Sequence, residues 1–187
     1  MGELSNEHES SMFGGAVYLQ WCGKTVFNDC VFDSNSSKTN SGSGNHGGAI
    51  YVQGSYDTLV VRNTKFRYNK VYKPSGNNNG GQAYGGAIYA SGLSDHFLVS
   101  NSVFIGNEAL GSYYSYAEGG GYDNMARGCA IDFYLESYWD GSAYTYPYKS
   151  IFINNTFVDN KAESSSNTGN GYGGAFYYSS NQSTVLI

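Results

Sequence analysis

The residues with chemistry to offer are few in this chain. Only 13% of its 187 residues are charged, and one stretch gathers both signs: Arg127, Asp132, Glu136 and Asp140. Two carboxylates beside a base can act as acid and base on a glycosidic bond. A polysaccharide-acting site near Asp132 and Glu136 is therefore one reading of this stretch. Asp29 and Asp33 fall on turn positions of a repeating pattern and are expected to be structural. His8, His46 and His96 lie far apart and share no metal-ligand spacing. Cys22, Cys30 and Cys129 are odd in number, and the sequence selects no pair for a disulfide. No nucleophile elbow or Ser-His-Asp order stands out. Gly80-Gly81 and Gly119-Gly120-Gly121 precede no helix and cradle no phosphate. The expectation is a chain with no metal, no cofactor and no catalytic residue, and not an enzyme.

Composition narrows the partners. The formal net charge is −5, and the ten Lys and Arg residues do not cluster. Nucleic acid and anionic membrane surfaces are poor matches for such a surface. No apolar run is long enough to cross a bilayer or to serve as a secretory signal, so this segment is not expected to insert into a membrane directly. Any export signal is expected upstream. Aromatic residues make up 17%, 19 of them Tyr, which gives the chain surface to bury and argues against disorder. There are 26 Gly and 2 Pro, with much Asn and Ser and little Ala and Leu. No helical apolar periodicity runs beyond a turn or two. An all-β chain follows.

The elements that must position these residues come from a repeat. Gly-Gly-Ala, an apolar residue and Tyr recur at Gly14–Tyr18, Gly47–Tyr51, Gly85–Tyr89 and Gly173–Tyr177, with a degenerate copy at Gly128–Asp132. Phe-x-x-Asn alternates with it, from Phe32 to Asn35, Phe66 to Asn69, Phe104 to Asn107 and Phe157 to Asn160. From the first Gly to Phe the chain advances 18, 19, 19 and 29 residues, the last unit holding an insertion near Leu135–Lys149. From Asn to the next Gly-Gly it advances 12, 16, 21 and 13. A nearly fixed part with length changes at one place is the mark of stacked repeats. The expectation is a right-handed parallel β-helix of about four to five coils, with three short strands per coil, spanning 1–187 as a single segment. The chain stops inside a second strand, so a fragment of a longer repeat protein is expected.

Apolar alternation places Val17 and Leu19, Ile50 and Val52, Ile88 and Ala90, Ile131 and Phe133, and Phe176 and Tyr178 inside the first strand. Tyr18, Tyr51, Tyr89, Asp132 and Tyr177 then form an outer stripe. Two amide rows are expected to bond from coil to coil: Asn35, Asn69, Asn107 and Asn160, and, with Asp29, Asn63, Asn101 and Asn154.

The alternating Gly-Gly-Ala-Ile and Phe-x-x-Asn motifs, read from Gly14 to Ile187, resemble the repeats of chlamydial polymorphic outer membrane proteins and of adhesin-like surface proteins of other microbes. The resemblance implies a β-helical passenger domain, exported and displayed at the cell surface or outside the cell, where it mediates adhesion. The copy at Gly128 departs from the pattern, and the chain holds no membrane-barrel segment.

The variable loops carry the other functional signal. They are rich in Tyr, Ser, Gly and Asn, a composition that gives large, rigid, amphipathic contacts beside small adaptable ones. Tyr113, Tyr114, Tyr116 and Tyr122, with Tyr138, Trp139, Tyr144 and Tyr146 in the insertion, are the candidate binding residues; Tyr72, Tyr84 and Tyr172 also fall in these loops. The expected partner is a protein or glycan on another surface, with end-to-end self-association as an alternative that would make the chain part of a filament. Of the sequons at Asn35, Asn154 and Asn181, the first two sit on amide rows expected to be buried, so Asn181 is the expected glycan acceptor.

Overall fold

The computed structural model describes residues 3–6, 12–39, 44–54, 58–72, 82–92, 96–111, 125–135, 138–139, 142, 144–145, 149–164, 170–180 and 184–186. Among them every regular element is a β-strand. Five sheets are built of parallel neighbours, and each of the units that begin at Gly14, Gly47, Gly85 and Gly128 sends one strand into each sheet. The first sheet holds Val17–Gln20, Ile50–Gln53, Ile88–Ser91, Ile131–Leu135 and Phe176–Ser180. The second begins with Thr25–Asn28 and Leu59–Arg62, and the third with Val31–Asp33 and Lys65–Arg67. Register is constant: Phe32 pairs with Phe66, Phe66 with Phe104 and Phe104 with Phe157.

Three strands per unit was too few. A fourth strand follows each Asn of Phe-x-x-Asn, as in Ser36–Thr39, Lys70–Tyr72, Glu108–Gly111 and Lys161–Ser164. A fifth precedes each Gly-Gly, as in Met12–Phe13, Gly44–His46, Gln82–Tyr84, Met125–Arg127 and Asn170–Tyr172. Tyr72, Tyr84 and Tyr172 therefore end strands and are not loop residues. The inward positions of the fourth strand are Ser37, Val71, Ala109 and Ala162, too small or polar to show as apolar alternation. The insertion of the fourth unit contains one antiparallel hairpin, Tyr138–Trp139 with Tyr144–Thr145.

The glycine pair explains how five strands fit. The first Gly of each pair takes a left-handed turn, with φ from 53° to 67° at Gly14, Gly47, Gly85, Gly128 and Gly173. The second has another reason to be Gly. A Cβ on Gly48 would collide with the carbonyl oxygen of Gly86 in the next unit and lie 2.7 Å from Lys70 N, on the fourth strand. Gly15 and Gly86 meet the backbones of Ser36 and Glu108 in the same way. The chain is pinched there, backbone against backbone. The pinch divides the interior into a large core of Phe, Ile, Val and Leu and a small one of Val71, Ala83, Ala109, Ala126 and Cys129.

In the large core, Phe32, Phe66, Phe104 and Phe157 form one column, with ring centres 4.8 to 5.0 Å apart. That distance is the strand spacing itself. Beside it runs the column of Asn35, Asn69, Asn107 and Asn160. Each Nδ2 donates to the Oδ1 of the next Asn, at 2.9, 2.9 and 2.8 Å. Each of those oxygens also accepts the preceding Asn's backbone N–H at 3.1 Å. The second Nδ2 hydrogen goes to the carbonyl of the Phe of the previous unit, Phe32, Phe66 or Phe104.

The other amide row differs from expectation. Asp29, Asn63, Asn101 and Asn154 are exposed, at φ of 49° to 56°. Their type is set by the left-handed turn, which Asn and Asp tolerate. Only Asn154 to Asn101, at 2.8 Å, bonds along this row; Asn63 donates instead to Asn28. Asn154 in its sequon is thus exposed, not buried. The buried ladder lies one residue later. Cys30 N donates to Thr64 Oγ1, Thr64 N to Ser102 Oγ, and Ser102 N to Asn155 Oδ1. All three thiols are free.

Two outcomes test this arrangement. Asn107→Ala should lower unfolding free energy by about 3 kcal/mol or more, because it strands buried donors and acceptors in two units. Asn35→Ala, whose side chain bonds one neighbour, should cost under about 1.5 kcal/mol. Denaturant titration reads both. Gly48→Ala should likewise cost about 3 kcal/mol or more, whereas Gly23→Ala, with nothing within 4 Å of an added Cβ, should change stability by less than about 0.5 kcal/mol.

Candidate functional site

The pinch has a consequence on the outside. It brings the last residue of the fifth strand next to the second residue of the first strand, five positions later. In successive units these pairs are Phe13 and Tyr18, His46 and Tyr51, Tyr84 and Tyr89, Arg127 and Asp132, and Tyr172 and Tyr177. Each member lies in register with its equivalents above and below. Two outward rows meet along the corner and form a second packed layer.

Most of that layer is aromatic. Tyr18, Tyr51 and Tyr89 stack with centres 5.3 Å apart and planes within 8°. Phe13 lies 4.5 Å from Tyr51. His46 sits among Phe13, Tyr51, Tyr84 and Tyr89, closest to Tyr89 at 4.6 Å. The expected outer stripe is therefore uneven: Tyr18 is 48% exposed, but Tyr51 is 3% exposed and Asp132 fully buried. Tyr18 and Tyr51 turn their hydroxyls along the strand to Gln20 and Gln53. Burial, with Tyr89 and Tyr18 adding to it, pushes the Tyr51 phenol up, so it stays neutral.

The fourth pair breaks the aromatic rows in both positions at once. Arg127 lays its guanidinium 3.9 Å from the Tyr84 ring centre and 4.6 Å from that of Tyr177. It fills, between two rings, the place where a third would stack. Its Nε stands 3.2 Å from Asp132 Oδ2 as an ion pair. Neither Asp132 oxygen accepts a hydrogen bond among the described residues, and His46 Nδ1 is likewise buried and unbonded. Burial pushes the Asp132 carboxyl up to about 7, against the pull of Arg127. Burial, assisted by the charge of Arg127, pushes the His46 imidazole down to about 3. Cys129, in the second Gly position of the same unit, has its thiol pushed up to about 12 by burial and turned onto the carbonyls of Gly173 and Gly174.

Of the residues singled out in the sequence, Asp132 and Arg127 are brought together, but Asp132 is sealed from solvent and faces no open cleft. Glu136, Asp140 and His8 lie outside the described residues. So do Tyr113, Tyr114, Tyr116, Tyr122, Tyr146 and Asn181. The backbones of Tyr138, Trp139 and Tyr144 form the hairpin noted above. Asp33 pairs with Arg67 at 2.5 Å on the exposed face of the third sheet. Sequence reasoning missed the row Phe13, His46, Tyr84, Arg127 and Tyr172. Its signal was available: one residue before each Gly-Gly is large, and the only unit with Arg there is the unit with Asp in place of Tyr. No group of His, Cys, Asp and Glu able to hold a metal occurs among the described residues.

The two shifted groups act oppositely on stability. Asp132, raised above its unfolded value, takes up a proton in the fold first, so its contribution increases as pH falls from about 7 to 4. His46, lowered, leaves the unfolded chain to take the proton, so its contribution declines as pH falls from about 6.5 to 3. Asp132→Asn should expose the histidine effect: denaturant titrations should show stability falling on acidification from pH 6.5 to 4, by up to about 1.4 kcal/mol per pH unit. His46→Gln should show the reverse trend between pH 7 and 4. A pH-independent difference between each variant and the parent would contradict the assignment.

Comparison with protein-family models, with curated proteins and with solved structures found no match to the chain.

Proposed function

We propose that the chain is a segment of right-handed parallel β-helix that serves as an adhesin-like binding module, displayed outside the cell or at its surface. The winding reading is supported by five sheets visited in the same order by the four units that begin at Gly14, Gly47, Gly85 and Gly128, with parallel neighbours throughout. A parallel connection within a sheet is almost always right-handed. The cell-surface part rests on the resemblance of the Gly-Gly-Ala-Ile and Phe-x-x-Asn repeats.

One observation carries the binding part. Besides the insertion between Leu135 and Lys149 of the fourth unit, the segments that change most in length between units join the fourth strand to the fifth: 40–43, 73–81, 112–124 and 165–169. They lead into the strands that end on the aromatic corner. The inward columns fix the strands of a unit, while this junction, and in the fourth unit the insertion, vary in length and carry Tyr, Ser, Gly and Asn. A rigid frame holding variable amphipathic segments along one side is the physical design of a recognition surface. The partner is a protein or glycan on another surface.

The triple change of Tyr113, Tyr114 and Tyr116 to Ala tests this. Binding to a panel of extracellular proteins and glycans should weaken at least about tenfold, with the thermal midpoint unchanged. Unaltered binding across the panel would remove the reading.

A further inference from the structure

We propose that Arg127, clamped between Tyr84 and Tyr177 and backed by Asp132, is the seat for the carboxylate of an acidic sugar. This rests on the binding reading above and names the ligand class for one part of that surface.

The geometry is that of a donor fork held ready. Rings cover both faces of the guanidinium, at 3.9 and 4.6 Å, so it cannot swing. Its Nε is buried against Asp132. Of the Arg127 side chain, 20% remains exposed. A planar guanidinium presents paired donors to a carboxylate in the matching bidentate arrangement. The buried Asp132 orients the fork from behind and is itself out of reach of any ligand.

A purely structural corner would not be built this way. The neighbouring units fill the same two positions with Tyr84 and Tyr89, and with Tyr172 and Tyr177, without burying a charge. Placing Arg and Asp there costs desolvation that ring stacking avoids. What the exchange adds is an outward-facing cation on a chain of net negative charge. The surround selects a ring-bearing ligand. Tyr172 is 41% exposed, and Tyr89 and Tyr177 are half-buried beside the fork. The flat face and hydroxyl of Tyr172 suit the apolar face and hydroxyls of a pyranose. An acidic peptide offers the carboxylate without the ring.

The seat also has a built-in pH dependence. Tyr89 and Tyr177 flank Asp132 on the adjoining strands, Tyr84 and Tyr172 flank Arg127, and His46 stands next along the corner. His46 keeps its neutral form down to about 3. Asp132 is the one carboxyl in this group, and with its titration at about 7 it neutralises Arg127 in mild alkali and releases it in mild acid. A sugar carboxylate should therefore bind more tightly at pH 5.5 than at pH 8.

Calorimetric titration of the intact chain decides the matter, using oligogalacturonate, its methyl ester and oligoglutamate. The acid form should bind at least about tenfold more tightly than the ester, and more tightly at the lower pH. Arg127→Lys keeps the charge and loses the fork, so it should abolish the preference. Asp132→Asn should erase the pH difference. Equal affinity for acid and ester, or no binding of either, overturns the inference. Oligoglutamate binding as tightly as oligogalacturonate overturns the sugar assignment. If Arg127→Lys fails to fold, the acid-to-ester ratio and the pH trend of the parent chain still decide. Any of these failures leaves the wider binding reading to be judged by the tyrosine variant, which lies in a different segment.

Discussion

The column of Asn35, Asn69, Asn107 and Asn160 is the constraint from which the rest of the arrangement follows. An amide can accept and donate in the same plane, so one side chain per unit closes both ends of a repeating bond. Asp could accept but could not donate to the Phe carbonyl of the previous unit. Ser and Thr offer one hydrogen where the column uses two. The column also stands inside, where an unbonded amide costs the most. A unit that slipped by one residue would lose these bonds and turn Phe66 or Phe104 to solvent in the same step. Register is therefore over-determined by one polar and one aromatic column side by side. The variable segments between the fourth and fifth strands begin only after the fourth strand has left that column.

The glycine pinch is the second constraint, and it decides where chemistry can collect. Bringing the fifth strand's end backbone-to-backbone against the fourth strand's start leaves no room for an interior side chain there. It also folds the outer surface into a corner, so that two outward rows face each other. A flat sheet would have left Tyr51 and Asp132 in water. The corner packs them against the facing row, and burial there displaces a carboxyl on the outside of a sheet to about 7, three positions from Cys129 in the small core. Cys129 shows how narrow the tolerance is. The one unit that carries a side chain at the second glycine position directs its sulfur at the backbone of the next unit, and there the added Cβ of Gly174 would meet no backbone closer than Asn160 O at 3.7 Å.

Much of this was legible in the sequence where identity repeats. The Phe and Asn columns, the inward pairs such as Ile50 with Val52, and the parallel stacking all follow from motif spacing, because a column of identical residues reads as a period. What stayed hidden was chemically mixed or small. Cys30, Thr64, Ser102 and Asn155 form one buried ladder, yet they share only the ability to accept a backbone N–H. Ser37, Val71, Ala109 and Ala162 line one strand face, yet they show no apolar alternation. Asp29, Asn63, Asn101 and Asn154 look like a second amide ladder, yet left-handed turn geometry explains them. The pairing of Arg127 with Asp132 was hidden for another reason. Five residues apart across a Gly-Gly corner, two side chains meet only if the corner is concave outward, and no local pattern encodes that angle.

The broken unit then reads as a consequence of divided labour between inside and outside. In the unit that starts at Gly128, the inward residues keep the pattern: Ile131, Phe133 and Phe152 fill the large core, and Phe157 and Asn160 continue their columns. Apart from Cys129, which faces the small core, the departures face outward or extend the periphery: Arg127 for a ring, Asp132 for Tyr, and the hairpin insertion. A unit decaying at random would lose inward residues as readily as outward ones. Loss falling mainly on the outward rows, with two opposite charges arriving in contacting positions, keeps the stack intact while changing what the corner offers to solvent. The neighbouring units gain stability from Tyr on Tyr at this corner. The fourth exchanges part of that stacking for a held guanidinium, and a buried charge pair has no better use in a frame whose cohesion already comes from amides and phenylalanines.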